Sequence, residues 1–413
     1  MPYTLLLDLD DTLLSTNMAA FLPAYYSALA RHLASLVPPA SMLEALKSGL
    51  GAMVSNMDPG RTLQEVFEGE FYSRLDVRQP VLEPAIAEFY SAIFPDLGKN
   101  SGRVAGAEDL VDWARAAGHQ LVLATDPLFP ISATEARVRW AGLDPAVFEL
   151  ISAFETFHFS KSHAAYYAEL LGRLGWPDRP VLMAGNDIER DLMPARTLGF
   201  ATFHTEAVGG TSAHPAADTA SSKDAWLHGD LSRLLAMLRS GEIDLQGPSP
   251  ETRIGILAIL RATPAVLEGL TARLSDDAWR TERSEDEWAM IELVCHLRDT
   301  EREVHAEQLR TLIDMPTPFV ARPDAAVWAK QRRYLTEDGP GAIREFLAAR
   351  KGVLDQLDTL PDEIWTKAAR HAIFGPSTFQ EVIGFMADHD RLHLQQAWSI
   401  LHPMGAPAHR LQS

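Results

Sequence analysis

The chain has 413 residues, 46% hydrophobic and 23% charged, the balance of a folded protein rather than a disordered or fibrous one. Its 56 acidic and 37 basic residues leave a formal charge of −19, which argues against a nucleic-acid backbone or an anionic membrane surface as partner. A single cysteine, Cys295, excludes an intramolecular disulfide and fits a reducing cytoplasm. No stretch approaches the ~20 apolar residues of a membrane helix, and Asp8, Asp10 and Asp11 interrupt anything resembling an N-terminal leader. The length points to two or three domains.

Tyr3 to Leu7 reads as a buried strand that runs directly into Asp8 and Asp10. The loop beyond the carboxyl end of such a strand is where open α/β sheets place their chemistry. Two carboxylates there without an adjacent cation must be held apart by a metal, share a proton or stand in water. The first two arrangements describe phosphoryl transfer, with Asp8 attacking phosphorus, Asp10 serving as acid and then base, and a divalent ion screening the charge. The third describes a solvated turn in which Asp11-Thr12 caps a helix.

Apolar residues then recur at helical spacing through 21–29, 42–47, 66–72 and 84–90, an all-helical insertion over about 15–105. Beyond it strands and helices alternate, as a doubly wound parallel sheet requires. Gln120 to Leu123 leads into Thr125, and Lys161 stands between an apolar stretch and the helix 164–174. Val181 to Ala184 opens the acidic loop Gly185-Asn186-Asp187-Ile188-Glu189-Arg190-Asp191. Asp218-Thr219-Ala220 and a helix over 231–238 close this domain near residue 240.

These stations, in this order, resemble the four motifs of the haloacid dehalogenase superfamily. The resemblance implies a nucleophilic Asp8 and an acid/base Asp10. It also implies a Thr125 hydroxyl bound to a phosphoryl oxygen and a Lys161 that neutralises both nucleophile and phosphate. Asp8, Asp10, Asp187 and Asp191 would hold Mg²⁺. The helical insertion is similar to the cap of the phosphoglycolate-phosphatase-like branch, which closes over the site and chooses the substrate. Two departures stand out: Asn186 occupies the place where the fourth motif usually has its first acid, so Asp187 and Asp191 are taken instead, and Ser162 follows Lys161 where proline is common. A member that attacks carbon, as a dehalogenase does, would keep Asp8 without needing Asp10.

Residues 241–251 are rich in breakers and read as a linker. Past it the strand pattern stops, and helical periodicity over 254–274, 288–313, 341–357 and 378–401 predicts a four-helix bundle spanning 252–413. His389 and His393 are four apart and face one way, while His296 lies on the second helix, a plausible site for Zn²⁺, Ni²⁺ or Fe²⁺. With the lead-ins 288–297 and 375–382, the pattern resembles the DinB-like bundle family, which implies His296, His389 and His393 as metal ligands. Cys295 and the tryptophans are assigned to packing.

The expected protein is thus a capped, Mg²⁺-dependent hydrolase of a small phosphorylated metabolite, joined to a metal-binding bundle able to form a homodimer. The rival expectation makes the hydrolase domain vestigial and the bundle the working part, as a metal-dependent thiol transferase or a stress-linked binding module.

Overall fold

The computed structural model describes residues 2–206, 227–282, 284, 287–321, 323, 325 and 327–402. The expected element at 218–220 and the end of the expected bundle, 403–413, lie outside them. The chain divides into two compact units, Met1–Ala164 with Asp178–Ser249, and Ala165–Pro177 with the described chain from Pro250 on.

In the first unit the strand Thr4–Leu7 is the centre of a six-stranded parallel sheet. Gln120–Leu123 and then Leu150–Ile151 lie to one side; Val181–Gly185, Ala201–Thr205 and Leu227–Gly229 lie to the other. Register explains why distant segments converge. Leu7 is opposite Leu123 on one flank and Ala184 on the other. The residues that follow each strand therefore leave the sheet at one level: Asp8, Thr125 and Asn186. The three strands are wholly buried, so their continuous apolar runs, not an alternating pattern, are what a parallel sheet between two layers needs.

The helix cap at Asp11-Thr12, the alternative to a chemical role for this loop, is not formed. Asp11 takes a left-handed conformation (φ 54°), its carboxylate accepts from the Thr16 amide at 3.0 Å, and the chain continues as the strand Leu14–Thr16. An aspartate tolerates that backbone because its short side chain bonds locally. This strand pairs antiparallel with Ser101–Arg103, and the ribbon so formed brackets the helical insertion. The insertion contains helices Met18–His32, Pro39–Ser55, Leu63–Ser73 and Gln79–Glu88. Asn17 caps the first through the Ala20 amide, and Thr62 and Glu65 form a reciprocal capping box on the third. Tyr25, Leu29, Leu46, Phe71, Leu82, Phe89 and Phe94 give the insertion a core of its own.

The second unit contains four long helices among the described residues: Arg253–Thr271, 290–314, Gly339–Thr359 and Phe379–Leu401. The segment 165–177 packs with them. A Cβ on Gly172 would lie 2.6 Å from a Val266 methyl, and the Trp176 carbonyl accepts from Gln395 at 3.0 Å. Arg253–Thr271 is long and apolar enough, by length and composition, to cross a membrane (mean hydropathy 1.5), which the sequence reading did not anticipate; 72% of it is buried inside the structure, as in a core helix.

Strands do persist beyond the linker. Ala368–His371 and Gly375–Thr378 form a hairpin, and Phe319–Val320 adds a third strand. The hairpin was illegible because Ala-Ala-Arg-His carries no alternation; what makes it is a three-residue loop followed by Gly375 at φ 78°.

At the centre of the bundle Arg350, 1% exposed, uses all five N–H groups. Nε and Nη2 donate to the two oxygens of Glu301 (2.7 and 2.8 Å), Nη1 and Nη2 to Asp390 (2.5 and 3.2 Å), and Nη1 to the Leu260 carbonyl at 2.8 Å. The His305 ring contacts Glu301 at 2.9 Å. Burial alone would raise the Glu301 carboxyl, but Arg350 and His305 outweigh it and hold it down to about 2. Arg350→Ala strands two buried carboxylates, so it should lower the stability of the bundle by about 3–5 kcal/mol. Urea denaturation of the two proteins side by side checks this.

Candidate functional site

The first site is built on the loops after the three central strands. Asp8 is buried, and its two oxygens are held separately. Oδ1 accepts from the Lys161 ammonium at 2.6 Å and Oδ2 from the Thr12 hydroxyl at 2.9 Å. Lys161 reaches Asp191 Oδ1 at 2.7 Å as well, so one ammonium lies between two carboxylates. Asp191 sits on a wide helical turn, Ile188–Leu192, directly beneath Gly185. A Cβ on Gly185 would be 2.0 Å from Asp191 Oδ2, so no larger residue fits while Asp191 stays in place.

Burial pushes the Asp8 carboxyl up to about 7, opposed by the Lys161 ammonium and reinforced by the charges of Asp191 and Asp10. Burial also works against the charged form of Lys161, but Asp191 and Asp8 outweigh it and raise its pKa.

Asp8, Lys161 and Asp191 are thus brought together. Asp10 is turned to Arg137, which is itself buried and lies over the Phe129 ring, 4.9 Å from its centroid. The other oxygen of Asp10, Oδ1, is buried with no hydrogen-bond partner. Asp187 caps the turn that carries Asp191, accepting from the amides of Glu189 (2.9 Å) and Arg190 (3.1 Å). Thr125 is buried at its strand end, its carbonyl bonded to the Ser152 hydroxyl at 2.6 Å. All six residues line one cavity of ≈ 770 Å³, closed on its far side by the helical insertion.

Sequence reasoning missed four participants. Thr12 and Asp126 were within reach, since each adjoins a motif. Asp126 accepts from the Lys161 amide at 3.1 Å and pairs with Arg190, which is also new. Arg137 left only a faint signal, a cation among the buried Thr134, Ala136 and Val138 on its helix.

The second site is in the bundle. The His389 Nε2 lies 3.2 Å from Nε2 of both His296 and His393, and the three candidate ligand nitrogens are all within 4.8 Å of one another. His389 and His393 share a helix face at spacing four, and His296 faces them from 290–314. Trp288 stacks parallel to His393 with centroids 5.9 Å apart and tilts against His296 at 4.8 Å. Gln396 Oε1 lies 3.0 Å from His393 Nδ1; with that amide orientation Nδ1 donates, and Nε2 keeps its lone pair. Burial, then the neighbouring imidazoles, pulls His296 down to about 3; burial and His389 pull His393 down to about 4. Burial likewise lowers His389. All three are therefore neutral near pH 7, the form in which imidazole binds metals. Cys295 is buried, and burial pushes its thiol up to about 12, the behaviour of a packing residue.

Residues 259–397 match the DinB superfamily, so the chain carries a DinB-like domain at its C-terminal end. No curated protein matches the chain. Among solved structures, YfiT from Bacillus subtilis, described as having an unusual four-helix bundle topology, is similar at 19% identity and a TM-score of 0.35. That match covers 38% of this chain and 91% of YfiT. The 2-haloacid dehalogenase of Pseudomonas syringae pv. Tomato DC3000 is similar at 18% identity and 0.41, over 58% of this chain and 100% of that one. A HAD phosphatase from Thermococcus onnurineus is similar at 17% and 0.35, over 59% and 98%. By its own topology the first unit is a six-stranded parallel sheet with helices and a helical insertion.

The lowered histidines have a thermodynamic consequence. The unfolded chain takes up protons near pH 6.5, whereas the folded triad resists them, so the unfolded state binds more protons and stability falls as pH drops below 6.5. In chelator-treated protein the unfolding midpoint should decline steadily from about pH 6.5 toward pH 4. His296→Gln should flatten that decline, as read by denaturation at a series of pH values.

Proposed function

We propose that the first unit is a Mg²⁺-dependent phosphatase acting on small phosphomonoesters through an aspartyl-phosphate on Asp8. The observation that supports this most is the ammonium of Lys161 held between Asp8 and Asp191 at the floor of a cavity large enough for a metabolite. Asp8 Oδ1 attacks phosphorus, the ester P–O bond breaks, and Asp10 delivers a proton to the leaving oxygen. Asp10 then takes a proton from water as the water attacks the acyl phosphate, which frees inorganic phosphate and restores the carboxylate. Lys161 offsets the repulsion between the nucleophile and the phosphate, the Thr125 hydroxyl binds a phosphoryl oxygen, Thr12 fixes the rotation of Asp8, and Arg137 that of Asp10.

The donor set fits a hard divalent cation. The carboxylates of Asp8, Asp187 and Asp191 would supply oxygen ligands, and Asp10 Oδ1, buried with nothing to bond to while Oδ2 pairs with Arg137, is the oxygen left to carry the proton. When bound there, the cation supplies Lewis-acid stabilisation of charge on the transferring phosphoryl group.

In the bundle, three neutral imidazoles fit a transition-metal ion with at least one position left for water or substrate. This geometry favours a second reading, in which the bundle is itself a working part, as a metal-dependent transferase or binding module.

Two experiments test the proposal. Asp8→Asn should lower Mg²⁺-dependent release of phosphate from an aryl phosphate by about three orders of magnitude or more. Gly185→Ala, which must displace Asp191, should instead raise the Mg²⁺ concentration needed for half-maximal rate. Near-normal turnover by folded Asp8→Asn would rule out the covalent route. Separately, elemental analysis of the full-length protein should find one transition-metal ion per chain. His389→Ala with His393→Ala should remove that metal and leave the phosphatase rate unchanged.

A further inference from the structure

We infer that the substrate of the first site is a phosphomonoester with a bulky, predominantly apolar leaving group, not a sugar phosphate or a second carboxylate or phosphate. This rests on the phosphatase reading above and adds what the rest of the cavity selects.

The ≈ 770 Å³ cavity is strongly divided. All three of its cations, Lys161, Arg137 and Arg190, come from the sheet unit's loops and helix, and each already faces an aspartate of the floor. Among the described residues the helical insertion contributes no cation to the lining. It contributes apolar surface instead: Leu29, Leu46, Leu50, Met53, Phe67 and Phe71.

Several polar groups of that wall are engaged with one another, while the Tyr26 and Tyr72 hydroxyls, which also line it, are not among them. The Tyr25 and Tyr90 hydroxyls bond each other at 2.7 Å. The carboxylates of Glu68 and Glu83 are bridged by the Gln79 amide at 3.2 and 2.7 Å, and Glu68 also accepts from Gln64 at 2.7 Å. A hexose placed there would find two phenols and two carboxylates but otherwise leucine, methionine and phenylalanine, so part of its hydroxyl set would be buried without a partner, which is unfavourable. A second anionic group would meet Glu68 and Glu83 with no cation to receive it. An aromatic or aliphatic body meets neither obstacle, and its transfer from water onto rings and methyls is favourable.

The test compares kcat/KM of the full-length protein with Mg²⁺ for four probes: 1-naphthyl phosphate, methyl phosphate, glucose 6-phosphate and phosphoglycolate. 1-Naphthyl phosphate should exceed glucose 6-phosphate and phosphoglycolate by about 100-fold. Leu50→Asn, in a protein whose melting temperature shows it folded, should lower the ratio of 1-naphthyl to methyl phosphate about tenfold. If phosphate is released but the sugar or dianionic ester is used as well as the naphthyl ester, the apolar selection is wrong and the phosphatase reading stands. If no ester releases phosphate, both fall together.

Discussion

One ammonium between two buried carboxylates organises the first unit. Lys161 bonds Asp8 at 2.6 Å and Asp191 at 2.7 Å; the parallel register brings the strands before Asp8 and Asp191 to one level, and Lys161 reaches them from the segment beyond Leu150–Ile151. Without that cation the two carboxylates could not both be charged in a buried place, and burial already pushes Asp8 up to about 7. Much else follows from the arrangement. Gly185 must lack a side chain so that Asp191 can lie against it, and Asp126 must hold the Lys161 amide. Thr12 must take the remaining Asp8 oxygen so that Asp8 presents one orientation.

The bundle uses the same device to a different end. Arg350 also lies between two carboxylates, but there every N–H is bonded, and Glu301 receives His305 besides. A buried network satisfied throughout specifies packing. The cluster beneath the cavity is not closed in this way: Asp10 Oδ1 is left without a partner, and the carboxylates around Asp8 outnumber the cations. That difference, not the presence of buried charge, separates a cluster with bonding capacity left over at a cavity from one that holds helices in register.

Much of this was legible from the chain. Strand-end acids, the strand-end Thr125 and the glycine before Asn186 are short-range signals, because the strand and its chemistry are adjacent in sequence. The imidazole pair at 389 and 393 was legible for the same reason. What escaped depends on partners far away: Arg137 meets Asp10 across 127 positions and Arg350 meets Glu301 across 49. Beyond the faint signal at Arg137, little in the local sequence distinguishes either arginine from a solvated one. The helix Ala164–Arg173 was read correctly as a helix, yet every one of its residues is buried. Glu169 and Arg173, four apart, read as a solvated face, yet both are buried and bonded to each other, and the close approach at Gly172 is visible only in three dimensions.

The helix 290–314 shows how a local irregularity shapes the second site. His296 and His305 are nine positions apart, which at about 100° per residue would set them on opposite faces of a regular helix. The turn Glu301–His305 is instead a π turn, which accommodates one extra residue and so returns the later part of the helix by about that same angle. His305 thereby comes to the side that carries His296, and its ring meets His389 edge-on with centroids 5.4 Å apart. Because its Nδ1 is tied to Glu301, and Glu301 to Arg350, the position of His389 is coupled to the buried network through a ring contact as well as through the neighbouring Asp390. The irregular turn is therefore what joins the element that stabilises the bundle to the element that would hold its metal.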